Sequence, residues 1–155
     1  MARVLVLLMF LFGVVPIANS EQISNDFLGS WEFYKMHYRG NLLDPINPNF
    51  HMYFIFHDDR VNSIIYYRDD QTGFCERSAV YQYDGTRKVL YQQVVWLNPK
   101  NADFCDQDPD MKFGSESWSG FDRLGADIGL EVPLSDESLT LLWRPVEMPP
   151  IPGRD

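Results

Sequence analysis

The feature that most constrains this chain is a series of short segments, rich in aromatic and β-branched residues, that are separated by turns at short intervals. One of these turns contains Asp84-Gly85, a dipeptide that favours a tight hairpin. No segment keeps a helical period over several turns, and the best place for a single helical turn is residues 121–124. The pattern predicts an all-β domain, built as a sandwich or a barrel.

Eight strands are expected, of which the first runs from near Gly29 to near Tyr38. The other seven are predicted at residues 50–56, 61–68, 74–83, 88–97, 111–119, 128–134 and 138–146. Eight antiparallel strands can close into a barrel that is filled by side chains or encloses one small ligand. Several strands are apolar on both faces, so their outer face needs cover from a loop, a tail or a second subunit.

Residues at the two ends of this strand series resemble a known family. Gly29 is followed two residues later by Trp31 at the head of the first strand, and Arg144 follows the last apolar run. This G-x-W pattern is similar to that of lipocalins and other calycins, in which the Trp plugs the closed end of the barrel and an Arg from the last strand packs across the indole. The resemblance implies an eight-stranded antiparallel up-and-down β-barrel in which Trp31 and Arg144 are in contact.

Two departures from the lipocalin pattern and one correspondence with it bear on this resemblance. The T-D-Y-like motif of many lipocalins is absent, and no helix is evident to flank the barrel. The long first connection, residues 39–49, corresponds to the lid of the lipocalin pattern, and its Leu42, Leu43 and Ile46 can either close an apolar cavity or pack on the rim. The barrel domain is expected over residues 21–147, followed by a loosely ordered Pro-rich tail, residues 148–155.

The first twenty residues have the layout of a secretory signal peptide. A short positive start containing Arg3 precedes an almost wholly apolar run, which ends in the small residues Ala18-Asn19-Ser20. The apolar run is short for a membrane span, which needs about 20 residues. Cleavage after Ser20 is therefore predicted, with export to the periplasm or the exterior and no stable membrane insertion afterwards. An uncleaved anchor is the alternative.

The charge of the chain is strongly acidic. Loss of Arg3, the only charged residue of the leader, changes the formal net charge from −9 to −10. Sequence-independent binding of nucleic acid depends on Lys and Arg at the phosphates, so nucleic acid is not an expected partner. An acidic surface keeps an exported protein soluble, and a monomer or weak dimer is expected.

The sequence contains two cysteines, Cys75 and Cys105. In an exported protein an even pair is expected to form one disulfide. The sequence has no C-x-x-C motif, which would have favoured a redox or metal role. Closing a loop of about 30 residues is expected to stabilise the fold by roughly 3–4 kcal/mol.

No set of residues predicts catalysis or metal binding. The acidic loop from Asp103 to Asp110 fails the EF-hand pattern, because the required Gly and Glu positions hold Met111 and Ser117. His51 and His57 lie six apart on one predicted strand, which separates them by about 20 Å. No G-x-S-x-G, H-E-x-x-H or P-loop motif occurs. No catalytic residue, metal or cofactor is therefore expected.

The aromatic content is the more informative feature, with eleven Phe, eight Tyr and four Trp. In a barrel these residues can line a cavity with apolar walls and a few hydroxyl groups. If Trp31 faces inward, strand alternation places Phe33 and Lys35 on the same side, although a single bulge would reverse the assignment of Lys35. The candidate ligand-binding residues are Phe33, Lys35, Leu42, Leu43, Tyr53, Tyr67, Tyr81, Tyr91 and Trp96.

Three functions follow from this pattern. The first hypothesis, implied by the resemblance, is an exported protein that binds a small hydrophobic ligand inside the barrel and catalyses nothing. The second is a secreted inhibitor or other protein-binding module that acts through its loops around a filled barrel. The third is an enzyme that uses the cup, which would bring His or carboxylate groups together inside it.

Overall fold

A nine-stranded antiparallel sheet forms this molecule in the computed structural model, which describes residues 27–135 and 137–154. The strands are β1 Gly29–Tyr38, β2 Asn41–Leu43, β3 Phe50–Phe56, β4 Val61–Arg68, β5 Phe74–Asp84, β6 Val89–Leu97, β7 Glu116–Leu124, β8 Asp127–Pro133 and β9 Ser138–Pro145. Pairing of β1 with β9 closes the sheet, while β2 adds only to the end of β1. The predicted eight-stranded antiparallel barrel is confirmed, with one extra strand.

The order of strands gives the barrel two different ends. The β3–β4, β5–β6 and β7–β8 turns lie at the end where β1 begins, which is called here the base. The connections 39–49, 69–73, 98–115 and 134–137 lie at the other end, the mouth. Inward-facing side chains near the base end of a strand therefore line the base, and those near its other end line the mouth.

The predicted boundaries hold for most strands, and the region before β7 is the main exception. Residues 111–119 were expected to be a strand, but β7 begins at Glu116, and Asp103–Gln107 and Pro109–Met111 form two short 3₁₀ helices. Met111 is buried against the sulfur atoms of Cys75 and Cys105 rather than placed in the sheet. The helical turn expected at 121–124 is wrong, since these residues belong to β7.

The outer face of β3 and β4 is covered by the C-terminal tail. Tyr53, Ile65 and Tyr67 face outward and form a cluster with Ile151, which is buried. Arg154 then forms an ion pair with Glu76 at 2.8 Å. The expectation of a loosely ordered tail is wrong for residues up to 154, because the strands it covers are apolar on their outer face.

The predicted leader, residues 1–20, lies outside the described residues. Cys75 and Cys105 form the expected disulfide, and both are buried. Among residues 27–135 and 137–154, no helix has the length and hydropathy to cross a membrane.

Candidate functional site

The base of the barrel interior is filled by aromatic side chains. Phe121 contacts the rings of Phe27, Phe56 and Tyr83 at centroid distances of 5.0, 5.4 and 5.7 Å. Trp143 packs on Phe33 and Phe54 in the same cluster. The aromatic floor, as we name this cluster, comprises Phe27, Trp31, Phe33, Phe54, Phe56, Tyr81, Tyr83, Phe121 and Trp143, all buried.

Trp31 lies at the base as expected, but its cationic partner is a different residue. Its Nε1 donates to the carbonyl oxygen of Phe27 at 2.9 Å. The guanidinium of Arg123, at the end of β7, lies 5.0 Å from the Trp31 ring. Arg144 instead faces outward, because it follows inward-facing Trp143, and forms an ion pair with Glu32 at 2.7 Å. The predicted contact between Trp31 and Arg144 is therefore wrong.

The mouth half of the interior is less completely filled. Above the floor, apolar side chains that face inward by register and pack on it are only half-buried. These cup residues, as we call them, are Phe50, Met52, Ile64, Leu130, Leu139 and Leu141. In a closed barrel an inward-facing side chain reaches solvent from one of the two ends, so their partial exposure places them on the side of the interior that faces the mouth.

The connection 98–115, called here the mouth loop, covers one side of the cup. The disulfide attaches it to β5, and Ala102 N donates to the carbonyl oxygen of Phe74 at 3.0 Å. The hydroxyl of inward-facing Tyr66 donates to Asp108 Oδ2 at 3.0 Å. The acidic loop is thus folded against β4 and β5.

The wall formed by β4, β5 and β6 contributes three polar side chains to the interior that sequence reasoning missed. Asn62 on β4, Arg77 on β5 and Gln92 on β6 face inward and are 0%, 3% and 4% exposed. Burial lowers the pKa of the Arg77 guanidinium, against the opposing influence of Asp110, Asp108 and Tyr66. The alternation of β5 contained the signal, because Arg77 has the same parity as Tyr81, which was expected inside.

Of the nine predicted ligand-binding residues, Phe33 and Tyr81 face the interior, both within the floor. Leu43 pairs with inward-facing Met36, so it lies on the interior side of the rim, whereas Leu42 pairs with outward-facing His37. Both leucines are exposed in β2, and the expected lid does not close the cup.

The other five predicted residues face outward. A bulge between Phe33 and Lys35 turns Lys35 out to an ion pair with Asp44 at 2.9 Å. Tyr53 and Tyr67 lie beneath the C-terminal tail. Tyr91 and Trp96 lie on the outer wall of β6, and the register shift between Val94 and Trp96 explains why residues five apart face the same side.

Two outer surfaces are also concave or apolar. A groove of about 790 Å³ crosses β7, β8, β9 and β1, where Gly120 and Gly129 have no side chains. Its walls are charged and partly paired, for example Lys88 with Asp122 at 2.6 Å, which suits an apolar ligand less well than the cup. Beside it, the wall of β5, β6 and β7 exposes 43% of Trp96 and 61% of Trp118.

The described residues contain no group of three or more His, Cys, Asp or Glu that could hold a metal ion. His51 Nε2 forms a hydrogen bond with Asp69 Oδ2 at 2.9 Å, and His57 Nε2 forms one with Ser63 Oγ at 3.1 Å. Comparisons of this chain with protein-family models, with curated proteins and with solved structures found no match.

Proposed function

We propose that this chain is a lipocalin-like binding protein that takes a small, mainly apolar molecule into the cup. The observation that carries the proposal is the half-buried state of the six cup residues above a fully buried floor. Concave sites with apolar walls and a few polar groups are the usual form of a small-molecule site. Each buried methylene of a ligand contributes roughly 0.8 kcal/mol, which makes such a cup suited to aliphatic or aromatic molecules.

The base of the barrel supports the lipocalin-like assignment. Gly29 and Trp31 stand at the head of β1, and a guanidinium lies over the indole, supplied here by Arg123. A cation over an indole is favourable by about 0.5–2 kcal/mol. The difference from the family pattern is the strand that provides the cation.

Export from the cell is part of the same proposal. The Cys75–Cys105 disulfide is compatible with an oxidising compartment, where such bonds persist. The signal-peptide layout of residues 1–20 points in the same direction, to the periplasm or the exterior.

Fluorescence titration with N-phenyl-naphthylamine, a neutral apolar probe, tests the proposal. We expect the wild-type chain to bind it, and Leu141→Glu to weaken binding by at least about tenfold, because a carboxylate then faces the apolar cup. Leu142→Glu is the matched control, since Leu142 is also half-buried but faces outward, and its affinity should stay within about twofold of wild type.

Circular dichroism verifies that each variant is folded, and Leu139→Glu provides a second inward-facing substitution. Absence of probe binding to the wild-type chain, or equal effects of Leu141→Glu and Leu142→Glu, would contradict the proposal.

Attachment to another protein is the second candidate function. The exposed wall of β5–β7 favours it, because the rings of Tyr91 and Trp118 are in tilted contact there with centroids 4.8 Å apart, beside exposed Trp96. Exposed apolar patches on soluble proteins often mark interaction sites. Failure of the neutral probe to bind would leave this outer wall as the better-supported site.

A further inference from the structure

Three buried polar side chains surround one small residue on the wall of the barrel. Asn62 pairs in register with Ala79, Arg77 precedes Ala79 by two residues on the same strand, and Gln92 pairs with Tyr81, two residues after it. All face inward on neighbouring strands. The register therefore places the Asn62 amide diagonally next to the Arg77 guanidinium, on neighbouring strands, while Gln92 lies on the other side of Ala79, four strand positions from Arg77.

Five polar atoms of this group have no hydrogen-bond partner among the described residues. They are Asn62 Nδ2 and Oδ1, Arg77 Nε and Nη1, and Gln92 Oε1. A buried polar group left unsatisfied is costly, and such atoms are almost always bonded in native proteins. Together they provide three donors and two acceptors, which require something other than the chain itself.

The charge of the group is positive. Arg77 is effectively always protonated, and within the described part of the chain no carboxylate forms an ion pair with it. Asp108 and Asp110 of the mouth loop act on it only at longer range. A buried cation without a direct counter-ion favours an anionic oxygen as its partner.

We infer that the ligand of the cup is an amphipathic carboxylic acid whose carboxylate binds Arg77 and Asn62, with its apolar chain along the cup residues. This inference rests on the proposed function. Gln92 Oε1, four strand positions from Arg77, accepts a hydrogen bond from a separate hydroxyl or amide of the same ligand. Because the five atoms are fully buried, half-buried Ile64, which pairs with Arg77 in register, moves aside when the acid binds.

Isothermal titration calorimetry with dodecanoic acid and dodecanol separates the two contributions, since the probes share one chain length and differ at the head. We expect the wild-type protein to bind the acid at least about tenfold more tightly than the alcohol. Arg77→Met should remove this preference while it changes the affinity for the alcohol by less than about threefold. Arg87→Met, an exposed arginine on the outside, should keep the wild-type ratio.

Asn62→Leu provides a second variant in case Arg77→Met does not fold, and it should also reduce the ratio of acid to alcohol affinity. Binding of the alcohol with no preference for the acid, or an unchanged ratio in both variants, would overturn this inference and leave the proposed function intact. Binding of neither probe would overturn both.

Discussion

The two halves of the barrel interior are built on different principles. In the floor the rings pack on each other, and the polar atoms of Trp31, Tyr81 and Tyr83 donate to backbone carbonyl oxygens. Among the floor residues only Trp143 Nε1 has no partner in the described chain. The rest of the interior combines half-buried apolar side chains with Asn62, Arg77 and Gln92, which leave five polar atoms unpartnered. Asn62 and Gln92 pair in register with the floor residues Phe56 and Tyr81, so they lie at the edge of the floor.

The two parts of the interior therefore contribute differently to the stability of the fold. A filled aromatic floor contributes stability through burial and close packing. A buried guanidinium without a counter-ion contributes none, and replacing such a group by an apolar residue is often neutral or stabilising. The interior outside the floor is thus the part whose composition stability alone does not explain.

Alanine substitutions in the floor and among the cup residues test this comparison, and the floor substitution has the largest expected effect on the free energy of unfolding. Phe121→Ala removes a buried ring that contacts three others, and it should lower the free energy of unfolding by about 3–5 kcal/mol. Leu141→Ala in the cup should lower it by only about 1 kcal/mol, because Leu141 is half-buried. Urea unfolding followed by circular dichroism measures both, and equal losses would contradict the division of the interior into two halves.

Removal of the disulfide should have the next largest effect on the free energy of unfolding, because it detaches the mouth loop from β5. Cys75 and Cys105 are 30 residues apart, so Cys75→Ala with Cys105→Ala should lower the free energy of unfolding by about 3–4 kcal/mol. The near-ultraviolet spectrum of the floor aromatics should persist below the unfolding transition. A loss below about 1 kcal/mol would show that the mouth loop is held mainly by its hydrogen bonds.

The hydroxyl of Tyr66 gives a smaller, pH-dependent test of the mouth. Burial, and after it Asp108, raise the pKa of Tyr66 above its ordinary value of 10.0. A raised folded-state pKa means that the contribution of this group is complete below the unfolded-state pKa and is lost as the pH rises towards the folded-state pKa. Between about pH 10 and about pH 11, the wild-type chain should lose more of its unfolding free energy than Tyr66→Phe, by up to about 1 kcal/mol, because solvent screening of the half-buried hydroxyl reduces the effect below this limit.

Urea unfolding at the two pH values measures this difference, and the subtraction removes the contributions of the other tyrosines. Equal losses in the wild-type chain and in Tyr66→Phe would mean that Tyr66 ionises as freely in the folded chain as in the unfolded one.

The strands, the barrel and the disulfide were predictable because they depend on local composition and on the number of cysteines. The segment before β7 was not, since Met111 and Phe113 continue an apolar pattern that suits a strand. Met111 instead packs on the disulfide, and Gly114 adopts a positive φ of 79° in the turn that leads into β7. Burial against a distant part of the chain decided this local structure.

For the candidate site, the sequence predicted the types of residue that line the interior but not which residues they are. The sequence indicated an aromatic interior and one inward-facing cation, but the bulge after Phe33 turned Lys35 outward, and Arg77 is the cation inside. On β3 and β4 both faces are apolar, so alternation alone could not show that Tyr53 and Tyr67 lie outside. The cover provided by Ile151 of the tail explains why both faces are apolar.

The sequence by itself determined most of the secondary structure, the eight strands of the barrel and the covalent link, because each depends on residue type and spacing along the chain. The tertiary structure decided which face of each strand points inward, and with it the partner of Trp31 and the position of Arg77. The physical reason is that side chains alternate between the two faces of a strand. One bulge exchanges the two faces, and a tail packed on the outside allows both faces to be apolar, while the pattern of strands and turns stays the same.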